Sequence, residues 1–287
     1  MDYIHIVNIT RPGILVSGWQ KVYNLFGGNE LMLNVVGTWL VVNITFWSLA
    51  LLHLYVDLTK KPNFIWKYKV QQNKNAPLDP LHLPRVFKTA LFNMVVLFPP
   101  TSLLLYPGAL WRGNSCSVAD VPTIPRILFD LMVSLVFDEI VFYYSHRLLH
   151  HPYLYKRVHK KHHEWTAPFA LVAVYAHPIE HMLSNTISVF AGSFVAGSHL
   201  LSVWIWVVCF MSWTVNDHSG YHFPFSRSPQ FHDFHHARNY CNFGALGILD
   251  YLHGTDSLYQ GSKESRRHKI YFNLTPISEK IPDTKKN

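Results

Sequence analysis

Charge is scarce in this chain. Asp, Glu, Lys and Arg together make up 15% of its 287 residues, against roughly 25% in soluble domains. Too few charges to coat a folded surface of this size excludes an ordinary soluble protein. Cysteine is scarcer still. Cys116, Cys209 and Cys241 are unevenly placed and form no C-x-x-C, which excludes a disulfide framework and a zinc ribbon. There is no P-loop, G-x-G-x-x-G, H-E-x-x-H or serine nucleophile elbow, and no internal repeat or coiled-coil heptad. Nucleotide binding, zincin chemistry and serine hydrolysis therefore have no motif to rest on. The first residues lack a basic n-region, with Asp2 and His5 in its place, and no cleavage pattern follows, so they do not read as a secretory signal.

What fills the space is apolar. Hydrophobic residues make up 49% and aromatics 15%, and mean hydropathy is positive at +0.08. The net charge of +8 and pI near 9.3 would suit nucleic acid, but the basic residues flank apolar segments. Contact with anionic lipid heads and control of membrane topology explain them better, and no nucleic-acid partner is expected.

Residues 31–56 carry no Asp, Glu, Lys or Arg and exceed the roughly 20 residues a bilayer span needs. Residues 57–88 hold Lys60, Lys61, Lys67, Lys69, Lys74, Arg85 and Lys88 against Asp57 and Asp79, which reads as a cytosolic loop. Residues 89–106 are apolar again. Pro99 and Pro100 in their middle should kink the helix or split it into two short segments. Residues 127–145 are apolar but contain Asp130, Asp138 and Glu139, which should face protein interior rather than lipid. Residues 182–215 are long for one span and short for two, so a hairpin turning around Gly197–His199 fits, with His199 outside any site. Such a hairpin returns the chain to the face it left. The expectation is an all-α integral membrane bundle of about four membrane segments. A cytosolic helical cap would hold a histidine-rich di-metal site. Residues 1–30 form a tail or interfacial segment, 31–260 the embedded domain and 261–287 a polar, basic tail. The final Lys285-Lys286-Asn287 comes near a dilysine retrieval signal without matching it.

Histidine is abundant: 19 in all, 14 of them between His146 and His236. They stand in groups. His146 and His150 form H-x-x-x-H, and His159, His162 and His163 form H-x-x-H-H. His218 and His222 repeat the first pattern, and His232, His235 and His236 repeat the second. At this histidine content about 0.1 H-x-x-H-H match is expected by chance in the chain; two are present. Helical positions i, i+3 and i+4 share a face, so each group would aim its imidazoles into one volume. Ten nitrogen ligands are too many for one ion and suit two. Imidazole suits iron, zinc, copper and nickel. Soluble di-iron bundles use Glu and Glu-x-x-His, a pattern missing here. A metal pair beside lipid can activate dioxygen against an unactivated C–H bond, and metal-assisted hydrolysis is the rival. Glu139 lies seven residues before His146, on roughly the same helical face. It suits a carboxylate steadying a ligand imidazole, or equally a buried ion pair with Arg126 or Arg147. Asp233, inside the last box, is a further carboxylate near the ligands. Trp165, Phe169, Tyr175, His177, His181 and Tyr221 are candidates to line the pocket.

The boxes H-R-L-L-H, H-K-K-H-H and H-D-F-H-H, their order, and the apolar hairpin before the last resemble the fatty acid hydroxylase superfamily. Within it the run H-K-K-H-H-E, A-P-F, Y-A-H-P-I-E, H-S-G-Y and G-T-D at Gly254-Thr255-Asp256 is similar to the C-4 methylsterol oxidase branch. The likeness covers roughly residues 85–260. It implies an endoplasmic reticulum enzyme with two metal ions held by the ten histidines, iron in the active form and zinc possible as isolated. It implies dioxygen as oxidant and electrons from NADPH through a separate reductase or cytochrome b5-type carrier. The substrate would be a 4-methylsterol, or a fatty acyl or sphingolipid chain. Sterol oxidases tend to carry Asp where His222 stands, while fatty acid hydroxylases carry His. The non-enzymatic alternative is a membrane protein that keeps the metal site for binding or regulation alone.

Overall fold

The computed structural model describes residues 13–75 and 78–283, and among these the fold is entirely helical, with one isolated bridge between Lys69 and Tyr221. A short helix α1 (Ile14–Leu25) packs under the bundle through Trp19, whose ring N–H donates to the Cys116 carbonyl at 2.9 Å. Helices α2 (Glu30–Thr59) and α3 (Pro80–Arg112) are long and apolar enough to cross a membrane. Helix α4 (Ile124–Leu149) follows, then the short α5 (Pro152–Arg157) and a 3-10 turn, His159–Glu164. Helix α6 (178–196) and helix α7 (Leu200–Ser219) form the hairpin, and α7 is the third helix able to span a bilayer. Helix α8 (Gln230–Arg238) lies in the cap. Lys285-Lys286-Asn287 falls outside the described residues.

The hairpin turns where the sequence places it. Gly197 takes a left-handed conformation at φ 60°, which glycine adopts without steric cost. His199 then caps α7 by accepting from the Leu201 N–H at 3.1 Å. Of the two outcomes the prolines allowed, the split into two segments does not occur. Pro99 and Pro100 neither break α3 nor make a second hairpin. A π-helical stretch, Phe92–Leu97, runs into them, and the wider register absorbs the missing proline N–H donors. The Phe98 N–H, for example, reaches back to the Asn93 carbonyl.

The acidic residues of α4 do face inward: Asp130, Asp138 and Glu139 are all buried, while the apolar Phe129, Met132 and Val136 are exposed. Small residues let α4 and α6 approach closely. A Cβ at Gly192 would stand 2.4 Å from the Ser134 Cα, and the Ser134 and Ser193 hydroxyls meet at 3.0 Å. Outside the spans, Lys69 is not a free surface charge. Its ammonium is buried, 2.7 Å from Asp57 Oδ1 and donating to the Ser219 carbonyl at 3.0 Å. The Tyr221 hydroxyl donates to the same Asp57 oxygen at 2.8 Å. This knot ties the end of α2 to the end of α7. The chain after Gly261 packs back onto the cap: the Leu274 carbonyl accepts from Lys67 and Tyr68, and Tyr271 donates to the His222 carbonyl.

Candidate metal centre

Nine of the ten box histidines converge, and they converge on two points. His146, His150, His159, His163 and His235 form one cluster; His162, His218, His232 and His236 form the other. Within each, one ring nitrogen per residue lies within 4.8 Å of all the rest. The two H-x-x-H-H boxes contribute reciprocally. His159 and His163 go to the first cluster and His162 to the second, whereas His232 and His236 go to the second and His235 to the first. The local helix explains part of this. His159–Glu164 is 3-10, so residues three apart eclipse, about 6 Å along the axis. His159 and His162 accordingly stack with centroids 5.6 Å apart and serve neighbouring sites. In α8, His232 and His236 are i, i+4 neighbours and share one site.

His222 is the exception: of the ten histidines expected to converge, the structure leaves it outside both clusters. Helix α7 ends at Ser219, with Gly220 left-handed at φ 70°. Once the chain leaves the helix, the i+4 relation to His218 no longer holds. His222 instead reaches the Lys269 carbonyl through Nε2 at 3.1 Å and sits 3.5 Å from the Ser228 hydroxyl through Nδ1.

The donor set fits metal ions. Nδ1 of His146 meets the Phe243 carbonyl at 2.7 Å, and that of His235 meets the Cys241 carbonyl at 2.7 Å. Nδ1 of His236 meets the Trp165 carbonyl at 3.1 Å and that of His218 the Thr214 carbonyl at 2.9 Å. A carbonyl only accepts, so each Nδ1 carries the hydrogen and each Nε2 of the neutral ring presents a lone pair. The Nε2 atoms face one another. That of His159 lies 3.0, 2.9 and 2.9 Å from those of His146, His150 and His163. Those of His235 and His163 are 3.1 Å apart, and those of His232 and His218 are 2.9 Å apart. A single ring nitrogen cannot donate to three neighbours. An ion with nitrogen ligands at about 2.1 Å sets adjacent nitrogens about 3.0 Å apart at right angles and about 3.4 Å at tetrahedral angles. The observed spacings match, and a cation between the lone pairs resolves their repulsion. Burial favours the neutral rings a metal needs. It lowers His232, His235, His236, His159 and His163 well below the ordinary imidazole value, with the neighbouring rings adding to the effect. It takes His162 down to about 4.

The carboxylate beside the ligands is Glu180, which sequence reasoning passed over. Its Oε1 lies 2.9 Å from His159 Nδ1, off the line of a straight hydrogen bond. A Glu that directly precedes His181 in H-P-I-E-H was the available signal. Glu139 plays neither role expected of it. It accepts from the backbone N–H groups of Ala245, Leu246 and Leu249, while Arg126 pairs with Asp130 and Arg147 with the Tyr143 hydroxyl. Glu139 thus pins the loop whose Phe243 carbonyl orients His146, and Asp250 holds the Phe243 and Gly244 N–H groups of that loop, each at 2.7 Å. Asp233 accepts from Gln71 and stands outside both clusters.

A pocket runs from the clusters into the bundle. His146, His159, His162, His218 and His232 form its polar end, and Val42, Met94, Phe98, Val189, Phe190, Val207 and Phe210 its apolar walls. His181 lines it as anticipated. Trp165, Phe169, Tyr175, His177 and Tyr221 do not. They brace the cap instead: Trp165 stacks edge-on against Phe169, Tyr175 donates to Glu164 at 2.8 Å, His177 caps α6, and Tyr221 belongs to the Asp57 knot.

A helical membrane bundle that carries two histidine clusters at the polar end of an apolar pocket defines a class of membrane metalloprotein. The family model for fatty acid hydroxylase matches residues 131–255. The human fatty acid hydroxylase domain-containing protein 2 is 45% identical over 93% of this chain and 80% of its own. The Arabidopsis thaliana methylsterol monooxygenase 2-2 is 31% identical over 86% of this chain and 94% of its own. The Mycosarcoma maydis fatty acid hydroxylase ahd1 is 31% identical over 89% and 67% respectively. No solved structure matches the chain. The chain belongs to the fatty acid hydroxylase family.

Proposed function

We propose that this protein is a membrane-bound di-iron monooxygenase that hydroxylates a lipid C–H bond with dioxygen, the C-4 methyl group of a sterol being its leading target. The observation that carries the reading is the convergence of nine buried imidazoles on two points at the polar end of an apolar pocket. Five imidazoles at one point exceed the four of a closed structural zinc site, which supports an ion of higher coordination such as iron. Bound iron would supply the dioxygen chemistry that side chains lack.

The protein's own residues do the rest. The carbonyls of Phe243, Cys241, Trp165 and Thr214 hold four imidazoles in the tautomer that turns Nε2 inward. The apolar walls take the body of the substrate and keep bulk water from the reacting end. No side chain needs to act as acid or base. Electrons would come from NADPH through a separate reductase or cytochrome b5-type carrier. The basic residues Lys156, Arg157, Lys160 and Lys161 beside the second box favour a cytosol-facing site in the endoplasmic reticulum membrane. A fatty acyl substrate is the second reading. It is favoured by a further cavity toward the far end of the bundle that shares Phe98, Thr186 and Phe190 with the first, a path suited to a long flexible chain.

The test is the lipid profile of cells lacking the protein, complemented with the intact chain or a His162→Ala/His163→Ala double variant. Accumulated 4-methylsterols that only the intact chain clears would sustain the sterol reading. Changed hydroxy-acyl lipids would move the substrate. Identical behaviour of both versions would leave a binding or regulatory protein.

A further inference from the structure

The pocket wall beside the clusters carries polar atoms that the fold leaves without partners. His181 is 3% exposed, and neither its Nδ1 nor its Nε2 meets a hydrogen-bonding group. The Ser184 hydroxyl and Asp138 Oδ1 are likewise buried and unpartnered. All three residues line the same pocket as the metal-facing histidines, and none belongs to either cluster. Buried polar groups in proteins are almost always paired, because leaving one unpaired costs more than a typical hydrogen bond returns. Three on one cavity wall mark a place where a ligand supplies the partner.

The backbone there is also unusual. His181–Ile187 is π-helical, and the Thr186 hydroxyl donates to the His181 carbonyl at 2.9 Å. Such turns recur at functional sites because they re-aim side chains. His181 directly follows Glu180, the carboxylate beside His159, so this wall adjoins the five-histidine cluster.

We propose that His181 and Ser184, backed by Asp138, form the subsite for the hydroxyl group of a lipid alcohol. This rests on the reading that the pocket takes a lipid, and it narrows the class. A neutral imidazole offers one donor and one acceptor, a serine hydroxyl offers both, and the unpartnered Asp138 Oδ1 adds a further polar atom. An alcohol, donor and acceptor at once, satisfies that set. A free fatty acid, ionised and accepting only, would leave the accepting nitrogen of His181 without a donor. With the hydroxyl held here, the carbons presented to the clusters are those next to it, as the C-4 substituents are next to the hydroxyl of a sterol.

The experiment uses the full chain, purified in detergent with its metal, and measures equilibrium binding of a tritiated 4,4-dimethylsterol and of its 3-deoxy counterpart. The alcohol should bind at least about tenfold more tightly to the wild type. His181→Phe and Ser184→Ala should each narrow the gap, and together they should close it to within about twofold, with metal content by mass spectrometry unchanged. A purely structural role would weaken both sterols alike and preserve the gap. Equal binding to the wild type, or an unchanged gap in the double variant, would overturn the subsite. Loss of metal from His181→Phe would also overturn it, by assigning His181 to the metal centre. If neither sterol binds the wild type, the lipid-pocket reading falls as well, which separates its failure from that of the subsite.

Discussion

Glu180 offers the sharpest test of how the centre is built. His159 is the hub of the five-histidine cluster: its Nε2 lies within 3.0 Å of three other Nε2 atoms. Behind it, Glu180 Oε1 stands 2.9 Å from Nδ1, with both side chains buried. Removing an orienting partner of this kind lowers metal affinity about 10- to 100-fold, or about 1.4–2.7 kcal/mol. Glu180→Ala should therefore weaken the five-histidine cluster and spare the four-histidine one, since its ion-pair partner among the described residues is His159. Glu180→Gln keeps an oxygen in place, so its effect should stay below about tenfold. The assay is metal release from the loaded protein during a chelator titration, read by mass spectrometry. Wild type and Glu180→Ala should differ in one of two release phases. Equal shifts in both phases, or release at wild-type chelator concentrations, would refute the orienting role.

Three further outcomes follow from the same geometry. His222→Ala should retain two metal ions per chain, whereas His162→Ala/His163→Ala should not, since His222 is engaged with Lys269 and Ser228; loss of an ion from His222→Ala would restore it as a ligand. Lys69→Ala strands the buried Asp57 carboxylate and should cost about 3–5 kcal/mol of stability, with Lys69→Met/Asp57→Leu recovering much of it, as read by unfolding in detergent. In the metal-free protein, burial holds His162 near 4 and His232, His235 and His236 well below their ordinary value. These rings are neutral when folded and take up protons when unfolded. Their contribution is intact above pH about 6.5 and is lost as pH falls from there toward 4, by about 1.4 kcal/mol per pH unit for each ring. Denaturation curves at pH 7.5, 6 and 5 with identical midpoints would contradict this.

Much of the molecule could be read in advance from pattern. Residues 31–56 carry no charge at all, and water leaves such a stretch no stable place outside a membrane or a core. The turn at Gly197 and the inward set of Asp130, Asp138 and Glu139 follow from the cost of charge and open backbone in lipid. The histidine boxes were legible because a metal needs several like ligands together, and helical spacing is the cheapest way to supply them. By itself, then, the sequence determined a helical membrane bundle and the histidine boxes, nine of whose ten histidines the fold gathers into two clusters.

Only the tertiary structure decided the rest. Helical spacing assigned His222 to the site, but Gly220 ends α7 two residues earlier, and a periodicity argument fails where the helix stops. Spacing likewise could not divide the boxes between two ions. His163 shares a cluster with His235 and His162 with His236, pairings about seventy residues apart that exist only once the hairpin closes. The carbonyls of Phe243, Cys241, Trp165 and Thr214 leave no mark in a sequence, since every residue has one; what selects them is where the loops run. The same holds for His181. The chain offered it only as one of six pocket candidates, and it becomes a wall of one because α4 and α6 pack closely enough, over Ser134 and Gly192, to bury it beside the clusters. Local spacing is short-range information carried by the backbone helix. Which groups meet across the bundle is set by packing, and packing depends on the whole chain at once.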